Sequence, residues 1–325
     1  MTQKITKNNK PALKETFLVP LAYLTLYIVW GSTYFFIKMA VESIPPLYVI
    51  GGRFLIGGPL LLLLSAIGGQ IERRPTWKEI GASLLLGSLL LIGGNGLVTL
   101  SEKKVDSYLV ALIIATTPMI VAFYDRVLLQ KKISAIRLGG ITIGIAGVAC
   151  LLYNGQSIST SLPPEILAAI GGVALWALAT SLGHKIKTYP NAVVNSGIQM
   201  SLIGVLCLIV ISFFGPPLSE VAAAASLQSA LALLFLATIG SLAFAAFNYL
   251  VAHEPAIRVV SYALVNPVIA TLLGLIVGDE SPVPLLAMGL PLILAGVTLM
   301  LYGESVIPYL FRQKRKPGSG DPRRA

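Results

Sequence analysis

Charge is what this sequence lacks most. Only 12% of its 325 residues are charged, whereas 55% are hydrophobic and the mean hydropathy is +0.82. A soluble globular protein is typically about 25% charged, because water must wet its surface. The composition therefore excludes an ordinary soluble domain and predicts that most of the molecular surface faces lipid.

Cysteine and histidine are also scarce, with two residues of each. Cys150 and Cys207 both lie inside apolar runs, so neither a disulfide nor a metal pair is expected. His184 and His253 are far apart, which excludes a His-Glu-x-x-His zinc motif, and no Walker A loop occurs. We therefore expect no cofactor, no metal and no enzymatic activity, although a Ser or Cys nucleophile is not excluded by sequence.

Negative charge is scarcer than positive charge, and the net charge is +10. No basic patch with interleaved aromatic residues lies outside the apolar runs, so we expect no nucleic-acid partner. Basic residues collect in the cytoplasmic loops of membrane proteins. If the N-terminus is cytoplasmic, most of the 24 lysines and arginines fall on that side. Both termini are therefore predicted to be cytoplasmic.

Long apolar runs dominate what is present. A transmembrane helix needs about 20 apolar residues, and ten such segments are predicted near 17–38, 47–68, 79–101, 106–129, 134–153, 164–186, 192–214, 229–252, 256–278 and 284–303. They are flanked by a polar segment without a cleavage site (1–16) and a basic tail (304–325). The prediction is an all-α, multi-pass protein of the plasma or inner membrane, in contact with lipid.

The two halves of the chain repeat each other. Segment 138–153 aligns with 287–302, and the same offset pairs Pro118 with Pro267. At nearby offsets, three further pairs match: Trp30 with Trp176, Arg53 with Gln199, and Asn95 with Asn248. Each copy, 17–153 and 164–303, holds five predicted spans. Because five is odd, the second copy must enter the membrane from the opposite side. This predicts two inverted five-helix repeats around a central cavity, a construction found in secondary transporters.

Several of these motifs resemble the EamA-type members of the drug/metabolite transporter superfamily. The first span contains WGSTYFFIK (30–38) and the second contains GGRF (51–54), while the second half keeps an acid, Glu280, after its proline-containing span. The first half has Lys131 where the family carries the equivalent acid. The resemblance covers about residues 20–303. It implies ten helices around a central cavity and export of amino acids, metabolites or drugs.

Eight residues are candidates for binding a substrate. Trp30, Tyr34 and Lys38 share one helix face, and such an aromatic face with a polar end suits an aromatic or amphipathic solute. Plain helix packing is the alternative. Arg53 lies two turns into its span, where a charge is costly unless it faces protein or water. It is expected either to meet a substrate carboxylate or clamp helices, or else to snorkel to the interface. The full predicted set is Trp30, Tyr34, Lys38, Arg53, Asn95, Trp176, Tyr262 and Asn266.

Prolines and glycines predict how the helices bend and approach. Pro118 and Pro267 are candidate hinges, because proline frees a carbonyl one turn earlier. A static kink satisfied by neighbouring threonines is the alternative. Gly140, Gly144 and Gly147 offer small faces for close helix contact, either within the chain or in a homodimer.

The function predicted from these features is export of small metabolites, amino acids or drug-like solutes by alternating access. Carboxylates deep in the predicted spans are scarce, which favours facilitated diffusion or exchange over an acid-relay pump. A channel-like uniporter and, less favoured, a polytopic membrane enzyme are the alternatives.

Overall fold

The computed structural model describes residues 13–130, 134–152, 163–277 and 285–313, and every regular element within those ranges is helical. Helices are expected from so apolar a chain, because in lipid each backbone N–H and C=O must find its partner within the protein. Glu280, Lys131 and the tail from residue 314 lie outside the described residues.

The first half contains eight α-helices and two π-helical segments. They are α1 (Leu13–Thr25), a first π segment (Leu26–Trp30), α2 (Gly31–Val41), α3 (Pro46–Ile67), α4 (Trp77–Gly87), a second π segment (Ser88–Gly96), α5 (Leu97–Glu102), α6 (Ser107–Ile114), α7 (Thr117–Leu129) and α8 (Ala135–Leu152). Local signals fix several ends. Thr76 and Glu79 form a capping box before α4, and Gly69 takes a positive φ after α3.

The second half contains seven α-helices. They are α9 (Pro164–Gly183), α10 (Ala192–Phe214), α11 (Leu218–Ala224), α12 (Leu227–His253), α13 (Ala256–Val259), α14 (Tyr262–Ile276) and α15 (Leu286–Gln313). Two features differ from the sequence prediction. The short helix α11 occupies a predicted loop, and α15 continues to Gln313, although the sequence predicted a tail from residue 304.

Seven helices are long and apolar enough to cross a membrane. They are Phe17–Val41, Pro46–Ile67, Trp77–Glu102, Leu109–Leu129, Pro164–Gly183, Ala192–Phe214 and Leu227–His253, and two shorter apolar helices cover Ala135–Cys150 and Leu286–Met300. The predicted span 256–278 is divided between α13 and α14 by a break at Val260–Ser261. The chain is therefore an all-helical, multi-pass membrane protein.

Helices α3 and α10 pack closely and run antiparallel. Gly51 lies near Ile211 at one end of the contact, whereas Gly197 lies near Leu62 at the other. A Cβ on Gly204 would come within 2.7 Å of the Leu55 backbone nitrogen. The two backbones approach this closely because glycine occupies the crossing.

Helices α8 and α15 form a second antiparallel pair. A Cβ on Gly140 would lie 2.6 Å from the Gly296 carbonyl oxygen, and one on Gly147 would lie 2.9 Å from the Gly289 carbonyl oxygen. A Cβ on Gly296 would also lie 2.5 Å from the Gly144 nitrogen. The small faces predicted from the sequence thus contact each other within one chain.

Candidate functional site

A cavity of about 50 Å³ lies among α2, α3, α5, α6, α7, α9, α14 and the two π segments. Six of the eight predicted binding residues line it: Trp30, Tyr34, Arg53, Asn95, Trp176 and Tyr262. The remaining lining residues are Thr33, Ile37, Gly94, Val98, Ile114, Thr117, Gly172 and Val173. Both halves of the chain contribute side chains to one mainly apolar space.

Aromatic rings form one wall of this cavity. The ring of Trp30 lies 5.4 Å from that of Trp176 and 5.2 Å from that of Tyr262, both edge-on. Phe247 lies 5.2 Å from Trp30 and 5.1 Å from Trp176. These distances and edge-on angles are those that aromatic quadrupoles favour. The pair of tryptophans matched by the repeat is therefore in direct contact.

Phe247 was missed by the sequence analysis. It stands immediately before Asn248 and three residues after Phe244, whose ring lies 6.2 Å away. This i, i+3 aromatic pair next to a repeat-matched asparagine was the available signal.

Both π segments end at the cavity. Trp30 is the last residue of the first segment, and Gly94 and Asn95 belong to the second. A π turn accommodates an extra residue and re-aims the side chains that follow it, and such turns are frequent at functional sites. Gly94 has a further role, because a Cβ there would lie 2.7 Å from Cε3 of Trp176. Glycine at this position lets the indole reach the cavity wall.

Arg53 is the charged residue in the cavity lining. Its side chain points inward and is only 4% exposed, so it does not snorkel to the membrane surface. Its Nη1 donates a hydrogen bond to Oδ1 of Asn95 at 3.1 Å. The Nε–H of Arg53 is buried and has no hydrogen-bond partner. Arg53 thus clamps α3 to the second π segment and still has a free donor.

The repeat mates of Arg53 and Asn95 make the corresponding contact in the second half. Asn248 donates from Nδ2 to Oε1 of Gln199 at 3.1 Å and to Oγ of Ser196 at 2.8 Å. Gln199 is fully buried. The equivalent positions are therefore hydrogen-bonded in both halves, but the asparagine accepts from a charged arginine in the first half and donates to a neutral glutamine in the second.

Lys38 and Asn266, the other two residues of the predicted set, are not among the residues that line this cavity. Lys38 donates from Nζ to the Val105 carbonyl at 3.1 Å and lies 3.8 Å from the Asp106 carboxylate. It is tied to the loop before α6 rather than placed beside Arg53. Asn266 is fully buried and faces the Tyr34 hydroxyl, although no hydrogen bond to its amide meets standard geometry.

Glu102 is a further buried group that the sequence analysis did not single out. It is fully buried at the end of α5 and lies within electrostatic range of Tyr34, as does Arg53.

The two prolines occupy different settings. Pro118 stands in the first turn of α7, just after a break at Ala115–Thr116. The carbonyl of Ile114 that it frees accepts a hydrogen bond from Thr117 at 2.5 Å. Pro267 lies inside α14, and the helix breaks earlier, at Val260–Ser261.

The cavity lies between two different layers. On the side of the first π segment, buried apolar residues pack together: Leu26, Leu90, Leu91 and Leu250. Beyond them the Tyr27 hydroxyl lies 2.9 Å from that of Ser261. On the opposite side, ion pairs link Lys38 with Asp106 and Lys104 with Glu165, the latter at 2.6 Å. These four leucines, which we call the apolar plug, therefore pack on one side of the cavity, and charged pairs lie on the other.

Comparison with known proteins adds a consistent picture. A family described as the EamA-like transporter family matches residues 18–153 and residues 163–302. The uncharacterized inner membrane transporter YedA of Escherichia coli (strain K12) is 37% identical over 295 residues, which cover 90% of this chain and 94% of that protein. The uncharacterized transporter YvbV of Bacillus subtilis (strain 168) is 27% identical over 277 residues, covering 85% and 88%.

A solved crystal structure shares the fold. It superposes with a TM-score of 0.63 at 18% identity and covers 91% of this chain and 98% of that chain. At this identity the similarity concerns the fold alone.

Proposed function

Because this chain belongs to the EamA-like transporter family, we propose that it carries a small organic solute across the inner membrane by alternating access, with the cavity as its binding site. The resemblance predicted from the sequence is confirmed by the family match. The observation that carries the proposal is the cavity itself. Aromatic and polar side chains from both halves converge there, inside a multi-pass membrane protein.

Transport rather than catalysis is the activity that these residues support. The cavity offers aromatic faces, N–H donors and one guanidinium, which suit binding and orientation. A nucleophile beside a base, the arrangement needed for covalent catalysis, does not occur among its lining residues. We therefore propose that the solute leaves the site unchanged.

We further propose that the protein is built from ten spans in two inverted repeats. The alignment pairs Gly140 with Gly289 and Gly147 with Gly296. Gly140 packs on Gly296 and Gly147 packs on Gly289. A two-fold rotation that exchanges α8 with α15 would therefore convert each of these contacts into the other. The duplicated bond, Arg53 to Asn95 and Gln199 to Asn248, supports the same relation.

Alternating access would use the layers on either side of the cavity. With both termini in the cytoplasm, the apolar plug lies on the cytoplasmic side, and the ion pairs of Lys38 and Lys104 lie on the opposite side. Opening the plug would separate α1 and α12 near the break at Val260–Ser261. The helix breaks at Thr116 and Ser261 are the proposed hinge points; Pro118 follows the first break closely, and Pro267 lies more than one turn after the second.

Reconstitution into liposomes tests this function. Wild-type protein should give saturable efflux of at least one solute from a panel of amino acids, metabolites and drug-like compounds, measured with and without a pH gradient. Trp30→Ala and Trp176→Ala should each lower that efflux about tenfold or more, because each removes a wall of the site. Trp77→Ala is the matched control, since Trp77 is 88% exposed and remote from the cavity.

Two results would contradict the proposal. One is that wild-type liposomes release every solute at the rate of empty liposomes. The other is that folded Trp30→Ala and Trp176→Ala proteins both transport at the wild-type rate.

A further inference from the structure

Three buried N–H groups at the cavity have no hydrogen-bond acceptor. They are Nε of Arg53, Nε1 of Trp30 and Nε1 of Trp176. The Tyr262 hydroxyl faces the Trp176 indole, but no hydrogen bond between them meets standard geometry. Burying a donor without an acceptor is costly, so structures that keep such donors usually supply the acceptor from elsewhere. Here all three belong to residues that line one space, which favours a ligand rich in acceptors.

Charge points to the same class of ligand. Arg53 forms no ion pair with any described carboxylate, whereas Lys38, Arg73, Lys104, Arg137 and Arg258 each do. Among the described residues, Arg53 hydrogen-bonds to the neutral amide of Asn95. A guanidinium held in a dry, membrane-embedded site needs a counter-charge. An anionic ligand would provide it.

The second repeat shows that this charge is not needed to join the helices. Gln199 occupies the position equivalent to Arg53 and bonds to Asn248 at the same 3.1 Å distance that separates Arg53 from Asn95. A neutral amide therefore suffices for the interhelical contact. Because only the first half supplies a positive charge, the cavity is asymmetric. An asymmetric site of this kind suits a solute that has a charged group at one end.

We infer that the solute is a small organic monoanion, a carboxylate or sulfonate attached to a flat apolar body; this inference rests on the proposed transport function. The acid group lies at Arg53 and accepts from the indole N–H groups, and the flat body lies against Trp30, Trp176 and Tyr262. One cation in the cavity lining matches one negative charge on the solute.

A trio of isosteric probes tests this inference. Benzoate, benzamide and benzamidine have nearly the same shape and carry charges of −1, 0 and +1 at neutral pH. Binding to wild-type protein in lipid nanodiscs is measured by calorimetry and by tryptophan fluorescence. Benzoate should bind about tenfold or more tightly than benzamide, because a charged hydrogen-bond partner contributes more than a neutral one. Benzamidine should not bind, and benzenesulfonate should compete with benzoate.

Arg53→Gln gives the sharpest variant, because it copies the residue of the second repeat and should keep the bond to Asn95. It should abolish the preference for benzoate over benzamide, whereas Arg53→Lys should retain part of it. Arg73→Gln is the control, since it removes an arginine whose side chain is 46% exposed and paired with Glu79. If Arg53→Gln does not fold, the probe series on wild-type protein still decides.

The inference is overturned if wild type binds benzamide or benzamidine as tightly as benzoate, if it binds neither anion, or if Arg53→Gln keeps the preference. These results differ from failure of the transport function itself. A protein that moves neutral or cationic solutes through both wild type and Arg53→Gln remains a transporter with another substrate class. A protein that moves no solute at all contradicts the proposed function.

Discussion

At the scale of single residues, positions that align between the two halves of the chain differ in what they contact. Arg53 and Gln199 are both buried and both bond to an asparagine, but only Arg53 lines the cavity. Asn248 has two side-chain partners, Ser196 and Gln199, whereas Asn95 holds the arginine. We therefore expect the two asparagines to differ in what their loss affects.

Asn248→Ala should lower stability and spare transport. It removes two interhelical hydrogen bonds, each worth about 0.6 kcal/mol in membrane proteins, so thermal unfolding in detergent should occur at a lower temperature. Asn95→Ala should instead change the affinity for solute, because it releases the Arg53 guanidinium. Equal transport kinetics in the two variants would show that Asn95 does not position the arginine.

Gly94 permits a second residue-scale prediction. An alanine Cβ there would lie 2.7 Å from Trp176, so Gly94→Ala should displace the indole and reduce transport while the protein stays folded. Gly81→Ala is the control, because a Cβ on Gly81 meets nothing within 4 Å. Alanine at this exposed helical position should raise the free energy of unfolding by about 0.5–1 kcal/mol. Transport and tryptophan emission would be measured for both. Unchanged emission from Gly94→Ala would mean that Trp176 has room to adjust.

At the scale of elements, the contact between α8 and α15 joins the two halves through backbone atoms. Gly296 lies against the Gly140 carbonyl oxygen and the Gly144 nitrogen. Side chains at this crossing cannot rotate away from a clash with backbone, so the helices would have to separate. The close approach is therefore a property of the helix pair rather than of one residue.

Gly296→Ala should lower the stability of the folded protein by about 1–3 kcal/mol, the range for overpacking. Gly139→Ala, on the same helix pair, should be tolerated, because its nearest neighbour is the flexible Leu299 side chain at 4.0 Å. The measurement is the unfolding midpoint of each purified variant in detergent. Equal midpoints for the two variants would contradict the tight crossing.

At the scale of the whole molecule, the proposed inverted repeat places equivalent ends on opposite sides of the membrane. The turn after α3 around Gln70 should face the cytoplasm, and the turn after α10 around Leu218 should face outward. Both positions are exposed. Because α3 and α10 are antiparallel, each crossing the membrane once, these two ends cannot lie on the same side.

Single cysteines at these positions test the orientation. With Cys150 and Cys207 replaced by serine or alanine, Leu218→Cys should react with a membrane-impermeant maleimide in intact cells. Gln70→Cys should react only after the membrane is opened. The reverse pattern would place the termini outside, and labelling of both in intact cells would refute the inverted arrangement.

The helical character of the apolar runs could be predicted from the sequence, because lipid forces each run to satisfy its own backbone hydrogen bonds as a helix. The inverted repeat that follows from aligning the two halves stays a prediction. The match of Trp30 with Trp176 and the resemblance to the transporter family followed from the order of residues alone. Helix spacing, however, gives directions only relative to the same helix. It could not show that Trp30 and Asn95 lie in π segments, or that the Phe247 ring packs against Trp30 and Trp176.

Tertiary structure alone decided which polar groups share a space. Lys38 lies on the predicted face with Trp30 and Tyr34, yet the loop before α6 holds it away from the cavity. Arg53 points inward because Asn95, distant in the chain, offers an oxygen there. A charged side chain inside a membrane points toward a polar partner, because leaving it unpaired in lipid is costly. When that partner lies on another helix, its position is set by helix packing, which the sequence does not reveal directly.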